Sequence, residues 1–154
     1  MMDLISLCTF NASYVHTIDS DALEQWPSFF TKKCIYRITN HENERDKLPS
    51  GIVFADSRAM LEDRIAALRK ANIYERHRYR HIVGIPLVKS FNENELVACT
   101  SFVVVRIMHT GESTLFVTGE YLDRFESIDG QLLLSERIAV CDSTVIDTLL
   151  VLPL

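Results

Sequence analysis

The fold of this chain is decided by residues 96–141, which read LVACTSFVVVRIMHTGESTLFVTGEYLDRFESIDGQLLLSERIAVC. Strand-forming residues alternate with period two in three stretches of this region, namely 96–108, 115–125 and 132–141. That period is typical of β-strands with one buried face, and Asp129-Gly130 between the last two stretches is a strong hairpin signal. A fourth stretch, residues 75–84 (ERHRYRHIVG), has the same period. We therefore predict four long antiparallel strands, with Gly119 as a point where one of them bends or bulges.

Helical patterns come before these strands. Residues 3–17 carry a broad apolar stripe, and residues 57–72 carry a narrower one at helical spacing. Asp56 or Ser57 can cap the second of these helices, because a short oxygen-bearing side chain accepts hydrogen bonds from the free N–H groups of the first turn. Asp21, followed three residues later by an acid, predicts the start of a short additional helix.

Two shorter strands, residues 34–39 and 51–55, flank a polar loop over residues 40–51. Helices followed by a meander of strands are typical of the α+β class. We expect a strongly curved antiparallel sheet, shaped as a cone, with the N-terminal helices packed on one face. One domain should span residues 1–154, since this length is close to that of an average domain.

Composition restricts the partners of the chain. The formal net charge is −5, which disfavours nucleic acid, because phosphate binding needs a net basic surface. No apolar run reaches the ~18 residues of a membrane span. The opening residues, MMDLISLC, include an acid and no base, unlike a signal peptide. The expected compartment is therefore the cytoplasm.

Metal and nucleotide sites are not indicated by the residue pattern. The four cysteines show no C-x-x-C pair and no zinc spacing, so we expect reduced, mostly buried thiols at positions 8, 34, 99 and 141. The histidine pair His77 and His81 falls on a predicted strand, where it does not complete a metal motif. Neither a phosphate-binding loop nor a G-x-G-x-x-G motif is present, and the chain has only five glycines.

Five side chains are candidates for the inside of the cone, and they are Tyr14, Asp19, Tyr36, His81 and Asp123. A dry pocket can shift the pKa of a carboxyl or imidazole group enough for general acid–base chemistry. The alternative is structural, with each inward polar group satisfied by a neighbour and Asp123 paired with an arginine. The candidates do not form a tight motif, which favours the structural interpretation.

An arginine row is the clearest interaction signal. Arg76, Arg78 and Arg80 would share one side of the strand over residues 75–84, because side chains alternate across a strand. Guanidinium groups suit carboxylates, so the row predicts docking to another subunit. Alternatively, the row is a solvated face held by acids of neighbouring strands, with Glu120, Glu126 and Glu136 as candidates.

The C-terminal segment is unusually apolar and reads TVIDTLLVLPL. Either it packs against its own domain or it seals an interface. The residues that we expect at an interface are Leu150, Leu152 and Leu154.

The order of motifs resembles the small (β) subunit of bacterial aromatic ring-hydroxylating dioxygenases over nearly the whole chain. The N-terminal part of the resemblance is carried by Asp21, Trp26, Phe29, Phe30 and Tyr36. The helix predicted over residues 57–72 contributes Leu61, Arg64, Ile65, Leu68 and Arg69. The sheet and the tail contribute Arg78-Tyr79-Arg80-His81, Glu136-Arg137, Asp142 and Leu152-Pro153-Leu154.

The resemblance implies a cone of the nuclear transport factor 2-like kind. It also implies a large α subunit that carries a Rieske iron–sulfur cluster and a mononuclear iron, an α3β3 hexamer, and a reductase that supplies electrons. The holoenzyme would add both atoms of O2 to an aromatic ring. Catalytic, cofactor and metal residues are then not expected in this chain, where the C-x-H…C-x-x-H Rieske ligand spacing is absent.

Two other functions fit the cone. A stand-alone dehydratase or isomerase would use His81 and Asp123 as its acid–base residues. A small-molecule-binding module would use the same interior without chemistry.

Overall fold

A computed structural model describes residues 2–47, 52–71, 76–144 and 152–154 of the chain. Three α-helices are α1 (Leu4–Asp19), α2 (His41–Arg45) and α3 (Arg58–Lys70), and a 3₁₀-helix spans Leu23–Phe29. The strands are β1 (Phe30–Asn40), β2 (Val53–Ala55), β3 (His77–Val83), β4 (Leu87–Phe91), β5 (Glu95–Met108), β6 (Ser113–Ile128) and β7 (Gln131–Cys141). The α+β class is confirmed. No described helix has the length and apolar character needed to cross a membrane.

The strands form one curved sheet in the order β2-β1-β7-β6-β5-β3, and β4 also pairs with β5. Neighbouring strands are antiparallel except β1 and β7, which run parallel. The prediction of a wholly antiparallel sheet is therefore wrong at this pair. β1 and β7 are far apart in sequence, so no tight turn requires them to run in opposite directions.

The predicted hairpin between β6 and β7 is confirmed. Asp129 and Gly130 have φ angles of 52° and 76°, as a two-residue turn of the primed type requires. The predicted strand over residues 75–84 is confirmed as β3, and a further strand, β4, follows it. β3 and β4 lie end to end along the same side of β5, separated by residues 84–86, which include a proline. β4 was missed at the level of sequence because all five of its residues are exposed.

Gly119 has a different role from the predicted bulge. The bulge lies nearby, where Val104 faces Val117 but Val105 faces Leu115. At Gly119 the backbone of β7 comes so close that a Cβ atom would lie 2.1 Å from the carbonyl oxygen of Val140. Gly119 therefore permits close contact between strands.

Of the two predicted helix caps, the one at Ser57 is confirmed and the one at Asp21 is wrong, and Asp3 caps α1 in addition. Asp3 accepts a hydrogen bond from the N–H of Ser6 at 2.8 Å, and Ser57 accepts one from the N–H of Met60 at 3.2 Å. Asp21 does not cap a helix, because its backbone is left-handed (φ 60°) and its carboxylate binds Arg69 at 3.0 Å. The segment that follows it is the 3₁₀-helix.

α1, the 3₁₀-helix and α3 cover the concave face of the sheet. The buried face of β5 carries Leu96, Ala98, Thr100, Phe102 and Val104. Aromatic rings dominate the core between these layers, and the fully buried ones among the described residues include Tyr14, Trp26, Phe30, Tyr36, Phe102, Tyr121 and Phe125. This packing encloses the inside of the cone, where the candidate polar residues lie.

Candidate functional site

An ion pair between Arg137 and Asp123 lies inside the cone. The two residues are directly opposite each other on β7 and β6. Nε and Nη2 of Arg137 donate to the two carboxylate oxygens of Asp123, both at 2.8 Å. Nη2 also donates to Oδ1 of Asn11 at 2.7 Å, which ties α1 to the pair. Neither ionised side chain is exposed to solvent.

Burial and charge shift the pKa values of this pair in opposite directions. Burial raises the pKa of Asp123, and the charge of Arg137 opposes that rise. Burial alone would lower the pKa of Arg137, but the charge and hydrogen bonds of Asp123 outweigh it and raise that pKa above its ordinary value. Because a guanidinium stays protonated in proteins, the pair is a fixed structural contact rather than a proton donor. The predicted pairing of Asp123 with an arginine is confirmed.

Two tyrosine rings enclose the guanidinium of Arg137. Its central carbon lies 4.2 Å from the centre of the Tyr14 ring and 4.0 Å from that of Tyr121. Such contacts are favourable because the face of an aromatic ring carries partial negative charge. Nη1 of Arg137 and the hydroxyl of Tyr121 are buried, and neither has a hydrogen-bond partner in the described part of the chain.

The C-terminal residue reaches into the same interior. A carboxylate oxygen of Leu154, the last residue of the sequence, accepts hydrogen bonds from the hydroxyls of Tyr14 at 2.9 Å and Tyr36 at 3.2 Å. The N–H of Leu154 donates to the Tyr36 hydroxyl at 3.0 Å. Leu154 is fully buried and Leu152 is 8% exposed, so these residues pack against their own domain.

Burial has a common effect on the interior tyrosines. It raises the pKa of Tyr14, and it raises the pKa values of Tyr36 and Tyr121 far above the ordinary value for tyrosine. A phenol that holds its proton this strongly remains a hydrogen-bond donor at neutral pH. Tyr14 and Tyr36 therefore present two O–H donors to one oxygen atom.

His81 is paired with Asp19 rather than with Asp123. Asp19, the last residue of α1, accepts from the backbone N–H of His81 at 2.8 Å and contacts its ring Nδ1 at 2.7 Å. Both side chains are almost fully buried. The pairing joins α1 to β3. The hypothesis that His81 and Asp123 act together is not supported, because the sheet gives each of them a different partner.

The sequence therefore placed all five interior candidates correctly, but it missed three of their partners. Asn11, Tyr121 and Arg137 are each at most 1% exposed. Tyr121 lies two residues before Asp123 on the same strand, so the alternation of side chains could have placed Tyr121 on the inner face. Arg137 has no such signal, since an arginine in a strand is far more often exposed.

The arginine row lies on the exposed face of the edge strand β3. Arg78 and Arg80 are exposed while Tyr79 and His81 are buried, as the alternation predicts, and Arg76 is exposed just before the strand. Within the described ranges the three arginines make no ion pair. The alternative in which acids of neighbouring strands hold the row is therefore wrong, because β5 separates β3 from β6 and β7. Glu136 contacts Arg124 instead, at 3.4 Å.

A cleft of about 370 Å³ lies beside this row. Its lining residues include Asp19, Arg76, Arg78 and Leu152. The cleft therefore combines Arg76 and Arg78, which make no ion pair among the described residues, with Leu152 of the tail.

Ligands for a metal do not come together in the described residues, where no group of three histidine, cysteine or acidic side chains occurs. All four cysteines are free. Burial raises the pKa of the Cys34 thiol to about 11 and that of Cys141 to about 12, so neither is a reactive thiolate at neutral pH. The geometry thus provides a closed polar interior and an exposed basic edge.

Comparison with known proteins identifies the class. Residues 14–148 match the family of ring hydroxylating beta subunits. This match covers most of the chain, and the chain belongs to that family.

Individual relatives agree with the assignment. The chain is 61% identical, over 154 residues and 100% of both chains, to terephthalate 1,2-dioxygenase terminal oxygenase component subunit beta 1 of a Comamonas species. It is 36% identical over 141 residues to the anthranilate 1,2-dioxygenase small subunit of Burkholderia cepacia, covering 92% of this chain and 88% of that protein. A crystal structure from Novosphingobium aromaticivorans, assigned as the β subunit of an aromatic-ring-hydroxylating dioxygenase, superposes with a TM-score of 0.88. It is 34% identical and the match covers 97% of this chain and 94% of that one.

Proposed function

We propose that this chain is the non-catalytic, structural small subunit of a dioxygenase that acts on terephthalate or a related aromatic carboxylate. The observation that carries the proposal is the 61% identity, over both full lengths, with the β subunit of the Comamonas terephthalate enzyme. The interior supports it, because the buried pair of His81 and Asp19 links α1 to β3 and the buried carboxylate of Asp123 is neutralised by Arg137.

In this proposal a large α subunit supplies the chemistry. It would carry the Rieske cluster and the mononuclear iron, receive electrons from a reductase, and convert the ring to a cis-dihydrodiol. The assembly would be an α3β3 hexamer. This chain would contribute a rigid sheet on which α and other β chains are seated.

The contact surface that we propose is the arginine row, Arg76, Arg78 and Arg80. Its charges are exposed and make no ion pair among the described residues, so an acidic partner surface can neutralise them. Charge complementarity of this kind mainly increases the rate and specificity of association.

The tail was the second expected contact. Leu150 lies outside the described residues. Leu152 and Leu154 are covered by their own domain, so a role for them at an interface stays a prediction that requires the tail to leave the cone.

The test is co-expression of this chain with the α subunit of a terephthalate 1,2-dioxygenase. The isolated chain should be colourless, iron-free and inactive, while the co-purified complex should contain iron and oxidise terephthalate when a reductase is added. Turnover or tightly held iron in the isolated chain would contradict the proposal.

The surface is tested in the same system by the double variant Arg78→Glu/Arg80→Glu, which should abolish co-purification. Lys32→Glu, an exposed charge reversal on β1, is the matched control and should assemble normally. Equal assembly of both variants would exclude the arginine row as the contact.

A further inference from the structure

We infer that the α subunit is seated on the outer face of the sheet, the face turned away from α1 and α3. The contact is an apolar patch, here called the outer patch, and its members are Ile82, Val103, Val105, Ile107 and Leu115. The inference rests on the proposed function and extends the contact from the arginine row to the sheet face beside that row.

β5 is apolar on both of its faces. Its inner face packs in the core, and residues 102–105 read FVVV without a polar interruption. The positions of β5 on the outer face are Val97, Cys99, Ser101, Val103, Val105 and Ile107. A sheet with one solvated face normally alternates apolar and polar residues, whereas an uninterrupted apolar run is typical of a strand that is covered on both sides.

The neighbouring strands continue this apolar surface. Val105 lies opposite Leu115 on β6, and Val103 lies opposite Ile82 on β3. Residues that are paired across neighbouring strands share a face of the sheet, so these side chains are adjacent. Leu115 is 68% exposed and Ile82 is 61% exposed. Large exposed apolar side chains that adjoin one another mark a surface for another protein.

No helix in the described part of the chain covers the outer patch. α1, the 3₁₀-helix and α3 lie on the concave face, and α2 lies against β1 and β7. The pairing of β7 with β6 ends where Cys141 faces Gly119, so β7 does not extend beside the outer patch. At this end of the sheet, β3, β5 and β6 therefore present their outer side to solvent.

The charges identify the partner. Arg78 and Arg80 border the outer patch along β3, where they lie opposite Ile107 and Val105. The positions of β6 on the other side of β5 carry hydroxyl or leucine side chains and no acid. A second copy on the same patch would thus bring further arginines and no matching carboxylates. A different protein with an apolar surface bordered by carboxylates is complementary, because an interface combines an apolar core with a charged rim.

Thiol labelling locates the contact and leaves the arginines unchanged. Leu115→Cys is treated with N-ethylmaleimide, both as the free chain and in complex with the α subunit of a terephthalate 1,2-dioxygenase. Mass spectrometry then measures the rate of modification at position 115. This rate should fall by about tenfold or more in the complex, because the centre of an interface excludes water. Ile5→Cys, at a position of α1 that is 78% exposed, is the control and should react equally fast in both states.

A polar substitution tests the energetic contribution of the outer patch. Val105→Thr/Leu115→Thr retains strand-forming residues but replaces apolar surface with hydroxyl groups. The apparent Kd for the same α subunit should rise by about tenfold or more. Ile5→Thr should leave this Kd unchanged. The melting temperatures of the free chains show whether each variant is folded, and if the double variant is not, the labelling rates decide.

The outcomes separate this inference from the proposed function. A complex in which position 115 reacts as fast as in the free chain would overturn the inference and leave the proposed function intact. Protection of position 115 in the free chain, together with self-association in sedimentation, would overturn it in favour of a second copy. Failure of the unchanged chain to bind the α subunit would contradict the proposed function and this inference with it.

Discussion

Arg137 and Asp123 face each other across β7 and β6 and are joined by two hydrogen bonds of 2.8 Å inside the cone. A pair like this can be replaced by apolar residues at little cost, but removal of one partner leaves an uncompensated buried charge. Neither Arg137 nor Asp123 can therefore be replaced alone without a large loss of stability.

The first prediction concerns this charge. Asp123→Asn should lower the free energy of unfolding by about 3 kcal/mol or more, because the guanidinium stays buried and charged. Urea unfolding followed by circular dichroism measures the change. Glu95→Gln, which breaks the exposed pair with Arg124, is the control and should cost less than about 1 kcal/mol. Similar losses of unfolding free energy in Asp123→Asn and Glu95→Gln would show that the buried pair contributes no more than the exposed one.

The second prediction concerns Gly119. A methyl group there would lie 2.1 Å from the Val140 carbonyl oxygen, a backbone atom that the sheet holds in place. Gly119→Ala should therefore cost about 3 kcal/mol or prevent soluble expression. At Gly84 the nearest atom is 3.6 Å away, so Gly84→Ala should change stability by only about 0.5 kcal/mol. The comparison of the two melting temperatures is the measurement, and a tolerated Gly119→Ala would refute the close contact.

The third prediction is loss of stability in alkali. Burial raises the pKa values of Tyr14, Tyr36 and Tyr121 above 10, their ordinary value, in the folded state. Above pH 10 the unfolded chain releases these protons while the folded chain keeps them, so stability is present below pH 10 and falls as the pH rises. Each tyrosine contributes a slope of about 1.4 kcal/mol per pH unit there.

Urea unfolding at several pH values between about 9 and 11 measures this slope, because a free phenol titrates in that range. Tyr36→Phe removes one of these titrating groups, so stability should fall less steeply with pH, by the slope that one tyrosine contributes. A slope that is the same in both proteins would show that Tyr36 does not retain its proton on folding.

The fourth prediction separates a structural His81 from a catalytic one. His81→Ala removes the ring contact with Asp19 and should lower the free energy of unfolding by about 1–3 kcal/mol. Turnover of the assembled holoenzyme, measured well below the melting temperature, should be unchanged. The opposite pattern, normal stability with lost turnover, would favour the acid–base alternative.

The elements that the sequence predicted correctly are those with a strong local signal. The turn at Asp129-Gly130 needs left-handed backbone, and the inward positions of Tyr14, Tyr36 and Asp123 follow from helix and strand periods. The parallel pairing of β1 with β7 has no local signal, because it depends on which distant strand lies alongside. For the same reason the partners of Asp123 and His81 could not be assigned from spacing.

The two ends of the described sheet are protected in different ways. β2, at one end, has three residues, which is too short to recruit another strand. β3, which shares the other edge with β4, is longer but carries two arginines with a third just before it, and like charges oppose the approach of an identical β3 edge. The positive charges that we propose to meet an acidic partner thus also discourage two copies of β3 from pairing edge to edge, which protects the chain against fibrous self-association.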